Sequence, residues 1–506
     1  MKKTFIVLSL ILLSFSFISC NKKSGSKVVD NGITFKTKLD YTNYEADVYY
    51  NDNFFYESST KYNYDRMKTS FMMAQSTCDY SRNNKNKYIN DFLINCNFKD
   101  VYSNEYYYKD PERESVAFTM ANKKISYKNK EYTLIPVAIK STDYYAEFAS
   151  NMMVGKSNDH YGFSVAKKQV LDGLFNYIDQ YNLNLDNIKI WVCGYSRGAA
   201  ISNLVSKSLN QYAYYINNNK LFNDIALDYD YNNKNINITI DDIYSNNFET
   251  PACGDPTLAS NLNDIMSNIF NAYNPNDWIC KLYPELNRYG KMVNITLDVS
   301  LTKVNSYLEE FGSNIIEVFK GSGNYKNKNQ NQAFDIFYKF LCNCLKANMN
   351  IFDDELTNRD IYYEYYQESF VEIFGLLCND LDLAFDIFDE IKDYLFDIVK
   401  SKMSDDYEIV DNIIHSEEIK IDELIINYLD ENNIEYNEKV KPALIELNNL
   451  LITILSVERI LDRELSTSDI LNITSTNIGN LIGNANQILY AHYPNVIYAY
   501  ILSYKG

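Results

Sequence analysis

Histidine is scarce in this chain: only His160, His415 and His492 occur among 506 residues. Any chemistry that needs an imidazole base therefore has three candidates, and a zinc site built on imidazoles is a poor fit. The nine cysteines show no framework spacing, and Cys342-x-Cys344 lacks a matching pair, so no metal site is expected. Basic residues are outnumbered, with 48 Lys and Arg against 67 Asp and Glu and a formal charge of −19. Such a chain repels phosphate backbones, which argues against nucleic acid as a partner. Beyond the first twenty residues there is no uninterrupted apolar run of about 18 residues, so no later membrane span is expected.

Apolar residues are plentiful at 46%, enough for a large buried core rather than a disordered chain. At the start, Lys2 and Lys3 precede the apolar run TFIVLSLILLSFSFI and then Ser19-Cys20. This pattern resembles a bacterial lipoprotein signal over residues 1–19, with Cys20 as the lipidated first residue of the exported protein. The implied location is the bacterial cell envelope, on a membrane anchor. The polar stretch NKKSGSKVVD that follows reads as part of a tether over 20–44.

From residue 45 to 300 strand-like and helical patterns alternate. YTLIPVAIK, IKIWVC, IDDIYSNNF and NIFNAY read as strands. GFSVAKKQVLDGLFNYIDQY and AAISNLVSKSLNQY carry helical periodicity. The alternation predicts an α/β fold with a mainly parallel central sheet flanked by helices. Residues 301–480 are almost wholly helical in pattern, as in EYYQESFVEIFGLLCND, and read as a large insertion. Residues 481–506 return to the core.

The chemistry centres on Gly194-Tyr195-Ser196-Arg197-Gly198, between an apolar strand and a helix opened by Ala199 and Ala200. A serine on a sharp strand-to-helix turn needs glycine two residues before and after it, because side chains there would collide. The pentapeptide alone is weak, but its strand-turn-helix setting makes Ser196 a candidate nucleophile rather than an ordinary turn serine. A serine needs a base, oriented by an acid, in the chain order Ser, Asp or Glu, His. His160 precedes Ser196. His415 lies in an acidic helical stretch and reads as an exposed helix histidine. His492, in AHYPNVIYAY, fits a loop before a proline and is the candidate base. For the acid, Asp277 in NPNDWICKLYP and Asp255 in ETPACGDPT each follow a strand. Oxyanion donors are expected from the N–H of Arg197 and from the loop after YTLIPVAIK, where Thr142 offers an N–H and a hydroxyl.

Taken together, VAIKSTDYYAEFASNMMVG, HYGFSVAKKQV, WVCGYSRGAAISNL, FETPACGD, NPNDWICKLYP, LNRYG and AHYPNVIYAYI resemble, in order, the class 3 (fungal-lipase-type) lipases of the α/β-hydrolase superfamily. They are most similar to a bacterial branch bearing G-Y-S-R-G-A-A. The resemblance spans roughly residues 60–300 and 480–506. It implies Ser196 as nucleophile, Asp277 rather than Asp255 as acid, His492 as base and Thr142 as the oxyanion hydroxyl. It also implies that His160 is a family histidine outside the triad. Two departures stand out: Lys140-Ser141 where the family has Arg-Gly, and Tyr195 where it often has His. The expected activity is carboxylic ester hydrolysis, with lipid or small esters as substrate, no cofactor, and the helical insertion as a cap over the acyl pocket. A hydrolase-fold lipoprotein that binds without turnover is the rival, and a thioesterase or peptidase the rival within hydrolases.

Overall fold

In the computed structural model the described residues are, short gaps aside, 27–295, parts of 332–448 (chiefly 359–381 and 423–438), and 492–504. The first element is an antiparallel sheet of β1 (Lys27–Val29), β2 (Gly32–Lys38) and β3 (Glu45–Tyr50). Lys27–Val29 and Gly32–Lys38, within the expected tether, thus lie in a sheet. Ile33 and Phe35 alternate with polar neighbours, as do Ala46, Val48 and Tyr50, and all five are buried in the core. Helices α1 (Tyr64–Ser76) and α2 (Lys87–Asn95) follow, α1 being opened by the Asn63 side chain, which accepts the Arg66 N–H at 2.8 Å.

The main sheet contains β4 (Lys99–Ser103), β5 (Phe118–Tyr127), β6 (Lys130–Ile139), β7 (Ile188–Tyr195), β8 (Ile243–Phe248), β9 (Ile269–Tyr273) and β10 (Lys291–Asn294). Their order across the sheet is β10-β9-β8-β7-β6-β5-β4. The four pairings from β6 to β10 are parallel, while β4–β5 and β5–β6 are antiparallel. Helix α3 (Tyr161–Gln180) carries the chain from β6 to β7, and α4 (Arg197–Asn218) from β7 towards β8. The observed class is α/β, a mainly parallel sheet with helices on both faces.

Strand β7 explains why the sheet is covered on both sides. All eight of its residues are buried. Trp191, Cys193 and Tyr195 enter one core, shared with α1, α2, β2 and β3. Ile188, Ile190 and Val192 enter the other, shared with α3 and α4. A strand apolar on both faces must be sandwiched, and each large side chain so buried contributes about 1.5–3 kcal/mol. The Trp191 indole N–H is satisfied by Ser70 Oγ of α1 at 2.8 Å.

Of the stretch 301–480, the clear element is α6 (Arg359–Cys378), where EYYQESFVEIFGLLCND carries helical periodicity. Phe370, Phe374, Phe388, Leu429 and Leu444 belong to a separate apolar cluster. Much of the rest of 301–480, including His415, lies outside the described residues, as do the signal segment and Cys20. A short helix, α5 (Pro256–Asn261), precedes β9, and the last described helix, α7 (Pro494–Ser503), returns to pack on α1. No helix among the described residues is long and apolar enough to cross a membrane, and no disulfide joins the described cysteines.

Candidate active site

Ser196 stands between β7 and α4 with φ 55° and ψ −126°, a conformation L-residues rarely adopt. Its flanking glycines are required by contact. A Cβ on Gly194 would lie 2.2 Å from the Gly198 carbonyl oxygen, and one on Gly198 would lie 2.5 Å from that of Ile139. The Ser196 N–H is tied to the Phe248 carbonyl at 2.9 Å, and its own carbonyl accepts from Ala199 and Ala200. The turn therefore places Ser196 at the N-terminus of α4, whose N–H groups and dipole favour developing negative charge.

His492 lies just before α7. Its Nε2 is 2.9 Å from Ser196 Oγ, and its Nδ1 is 2.6 Å from Asp277 Oδ2. The ring is positioned from behind. The Tyr195 hydroxyl donates to the His492 carbonyl, and the two rings sit 5.1 Å apart. Helix α7 is pinned to α1 by the Phe71–Tyr498 stack and by the Tyr64 hydroxyl, which donates to the Ile501 carbonyl at 2.8 Å.

Asp277 follows β9 and is fully buried. Its Oδ1 accepts the Ile279 N–H at 2.9 Å. Burial by itself would raise its carboxyl. The His492 imidazole beside it, with hydrogen bonds from His492, Glu249 and Ile279, holds it below the ordinary carboxylate range. Asp255 does something else: its side chain accepts the Leu258 N–H at 2.8 Å and caps α5. The structure thus brings Ser196, His492 and Asp277 together and leaves Asp255 in a capping role.

Arg197 follows Ser196 as the first residue of α4, and Thr142 lies three residues beyond the end of β6. Thr142 Oγ1 accepts from the Asn151 amide at 3.2 Å, which leaves its own hydroxyl hydrogen to turn elsewhere. The Arg197 guanidinium is buried, near Glu147 and bonded to Ser150 Oγ at 3.2 Å, so its backbone rather than its side chain is at the site. His160 caps α3. Its Nδ1 accepts the Phe163 N–H and its Nε2 donates to the Asn151 carbonyl at 3.0 Å. Burial pushes its pKa down to about 3, so the ring is neutral.

Sequence reasoning passed over Glu249, one residue beyond β8. It is fully buried, and its carboxyl accepts the Asn274 N–H at 2.9 and 3.1 Å. Burial, and then the charge of adjacent Asp277, push that carboxyl well above the ordinary range. The Cys280 thiol sits between the two acids, 3.2 Å from Glu249 and 3.6 Å from Asp277. The signal that points to Glu249 is its place at the carboxyl end of a parallel strand, where α/β sheets gather their sites.

Solved structures with a similar arrangement of the chain include fungal lipases. The triacylglyceride lipase of Rhizomucor miehei matches at 13% identity and a TM-score of 0.28, over 46% of this chain and 80% of that one. The lipase of Rhizopus microsporus var. chinensis matches at 15% identity and 0.29, over 51% and 80%. Lipase II of Rhizopus niveus matches at 15% and 0.28, over 44% and 74%. Likeness at this level adds nothing to the chemistry, which the side chains carry themselves. No family model matches the sequence. No curated protein matches it.

Proposed function

We propose that the protein is a serine hydrolase of carboxylic esters. The observation that carries this reading is the continuous relay from Ser196 Oγ through His492 to buried Asp277, set on a strained turn at a helix N-terminus. Such a turn keeps a serine hydroxyl exposed to an incoming carbonyl at a backbone cost that a merely structural serine would not need.

In the reaction, Ser196 Oγ attacks the ester carbonyl while His492 Nε2 takes its proton. Asp277, bonded to Nδ1, keeps the ring in the correct tautomer and stabilises the imidazolium. The N–H of Arg197 and the N–H and hydroxyl of Thr142 receive the oxyanion. His492 then protonates the departing alcohol, leaving an acyl-serine. Water, deprotonated by His492, attacks that ester and releases the acid and the free serine. No step asks for a metal or an organic cofactor. Lipid esters such as acylglycerols are the first substrates to test, because the quoted motifs resemble class 3 lipases. The signal-like segment ending at Cys20 supports an exported enzyme held at a membrane by a lipid anchor.

The test is fluorophosphonate labelling and turnover of esters of graded acyl length, with Ser196→Ala and His492→Ala as controls. Both variants are expected to lose more than about a thousandfold in kcat/KM while remaining folded. A folded parent that neither labels nor turns over any ester would favour the binding-protein alternative.

A further inference from the structure

Of the fourteen non-glycine residues with positive φ among the described residues, ten are Asn or Asp, which tolerate it, and Lys128 sits in the β5–β6 hairpin turn. The other three are Ser196, Glu249 and Tyr283, and the first two belong to or touch the relay. Ser196 is the nucleophile. Tyr283 packs on His160 and donates to the Asn151 carbonyl. Glu249, at φ 49°, occupies a backbone conformation that glycine would hold without strain, so a large acidic side chain there invites a functional explanation.

We propose that Glu249 is a positioning residue of the relay: it carries a proton and donates it in a hydrogen bond to Asp277, so that Asp277 stays aimed at His492. The inference rests on the hydrolase reading above. Each acid already accepts backbone N–H bonds, Glu249 from Asn274 and Asp277 from Ile279. Their oxygens and the Cys280 sulfur lie within 4.8 Å of one another, all buried. The groups facing the pair are few. Cys280 is a thiol that burial and the two acids keep protonated. His492 lies beyond Asp277. The Arg288 guanidinium donates to the carbonyls of Thr250 and Cys280 rather than to either carboxylate. Two buried anions in contact, without a cation between them, cannot both persist, and one shared proton resolves the conflict.

The proton belongs on Glu249 because Asp277 is the one opposite the imidazole. Neutral Glu249 offers Asp277 a donor. Ionised, it would turn acceptor toward acceptor and push Asp277 off His492. Glu249 also straps the loop that delivers the acid: its carboxyl holds the Asn274 N–H, and the Asn274 carbonyl holds the Asp277 N–H at 3.0 Å.

The experiment uses the full chain as parent, Glu249→Gln and Glu249→Leu, each checked for fold by circular dichroism. Infrared difference spectra should show, at neutral pH, a buried carboxylic-acid C=O band in the parent that is absent in Glu249→Gln. Fluorophosphonate labelling should stay within about threefold of the parent in Glu249→Gln, whose amide still donates, and fall at least about tenfold in folded Glu249→Leu, which has no donor. The alkaline decline of parent labelling, where Glu249 ionises, should be missing in Glu249→Gln. The proposal is overturned by absence of the infrared band, by Glu249→Leu labelling as fast as the parent, or by Glu249→Gln falling as far as Glu249→Leu. Loss of activity on treatment with a chelator, restored by zinc, would overturn it too, by placing a cation where the proton is assigned. If the parent never labels, the hydrolase reading fails instead, and the infrared band alone still decides who holds the proton.

Discussion

Two groups of acids are packed into the core, and they are handled in opposite ways. Between α3, which carries Lys167, and α4, which carries Lys207, buried Lys207 reaches Asp159 at 2.5 Å and Asp228 at 2.8 Å, and Lys167 reaches Asp228 at 2.6 Å. Tyr289 and Ser208 add hydroxyl donors. Fixed ammonium groups hold the Asp228 carboxyl well below its ordinary range despite partial burial. At the other group, the side chains bonded to Asp277 and Glu249 among the described residues are an imidazole and a thiol, not a lysine. A lysine locks an acid into one charge state and makes it structural. An imidazole leaves the acid's partner free to gain and lose a proton, which is what turnover requires.

The largest effect should come from breaking the catalytic member of this contrast. Asp277→Asn should lower kcat by about 10⁴-fold in a chromogenic ester assay without unfolding the protein, because the amide would favour the wrong imidazole tautomer. Breaking the structural member should do the reverse. Lys207→Met strands buried Asp159, and chemical denaturation should show a loss of about 3–5 kcal/mol while activity per folded molecule is kept. pH sharpens the comparison. Glu249 has its folded pKa raised, so the stability it contributes is full below the unfolded carboxyl value and is lost as pH rises towards the folded one. The parent should therefore lose about 1.4 kcal/mol per pH unit relative to Glu249→Gln across that window. Asp277, with its folded pKa lowered, acts in the opposite sense and gives up stability only as pH falls through the acid range. The smallest effect belongs to the displaced rival: Asp255→Ala removes a helix cap, costs about 1 kcal/mol in the same denaturation experiment, and leaves turnover intact.

Local geometry explains what could be read in advance. Ser196 was legible because its turn imposes glycine at fixed offsets, and a strand and a helix had to flank it. His492 was legible because so few histidines compete. Choosing Asp277 over Asp255 needed either the family resemblance or three dimensions, since both follow strands and both sit in turn-like sequence. Glu249 was invisible because its function lies in a contact 28 residues along the chain, with nothing local to mark it but an acid at a strand end. The sheet of β1–β3 was missed because its short alternating strands sit between polar stretches, and only docking on the core shows that Ile33 and Phe35 are buried. The cap expected over the acyl pocket concerns residues that lie mostly outside those described.

Helix α7 has a consequence for timing. Ser196 and His492 are 296 residues apart in the chain, and the imidazole reaches the serine only when α7 seats on α1. On a ribosome Ser196 is made long before residue 492 exists. On the proposed hydrolase reading, any emerging or partly folded chain therefore carries a serine that cannot yet be activated, and activity would certify that the far-separated parts of the molecule have found each other.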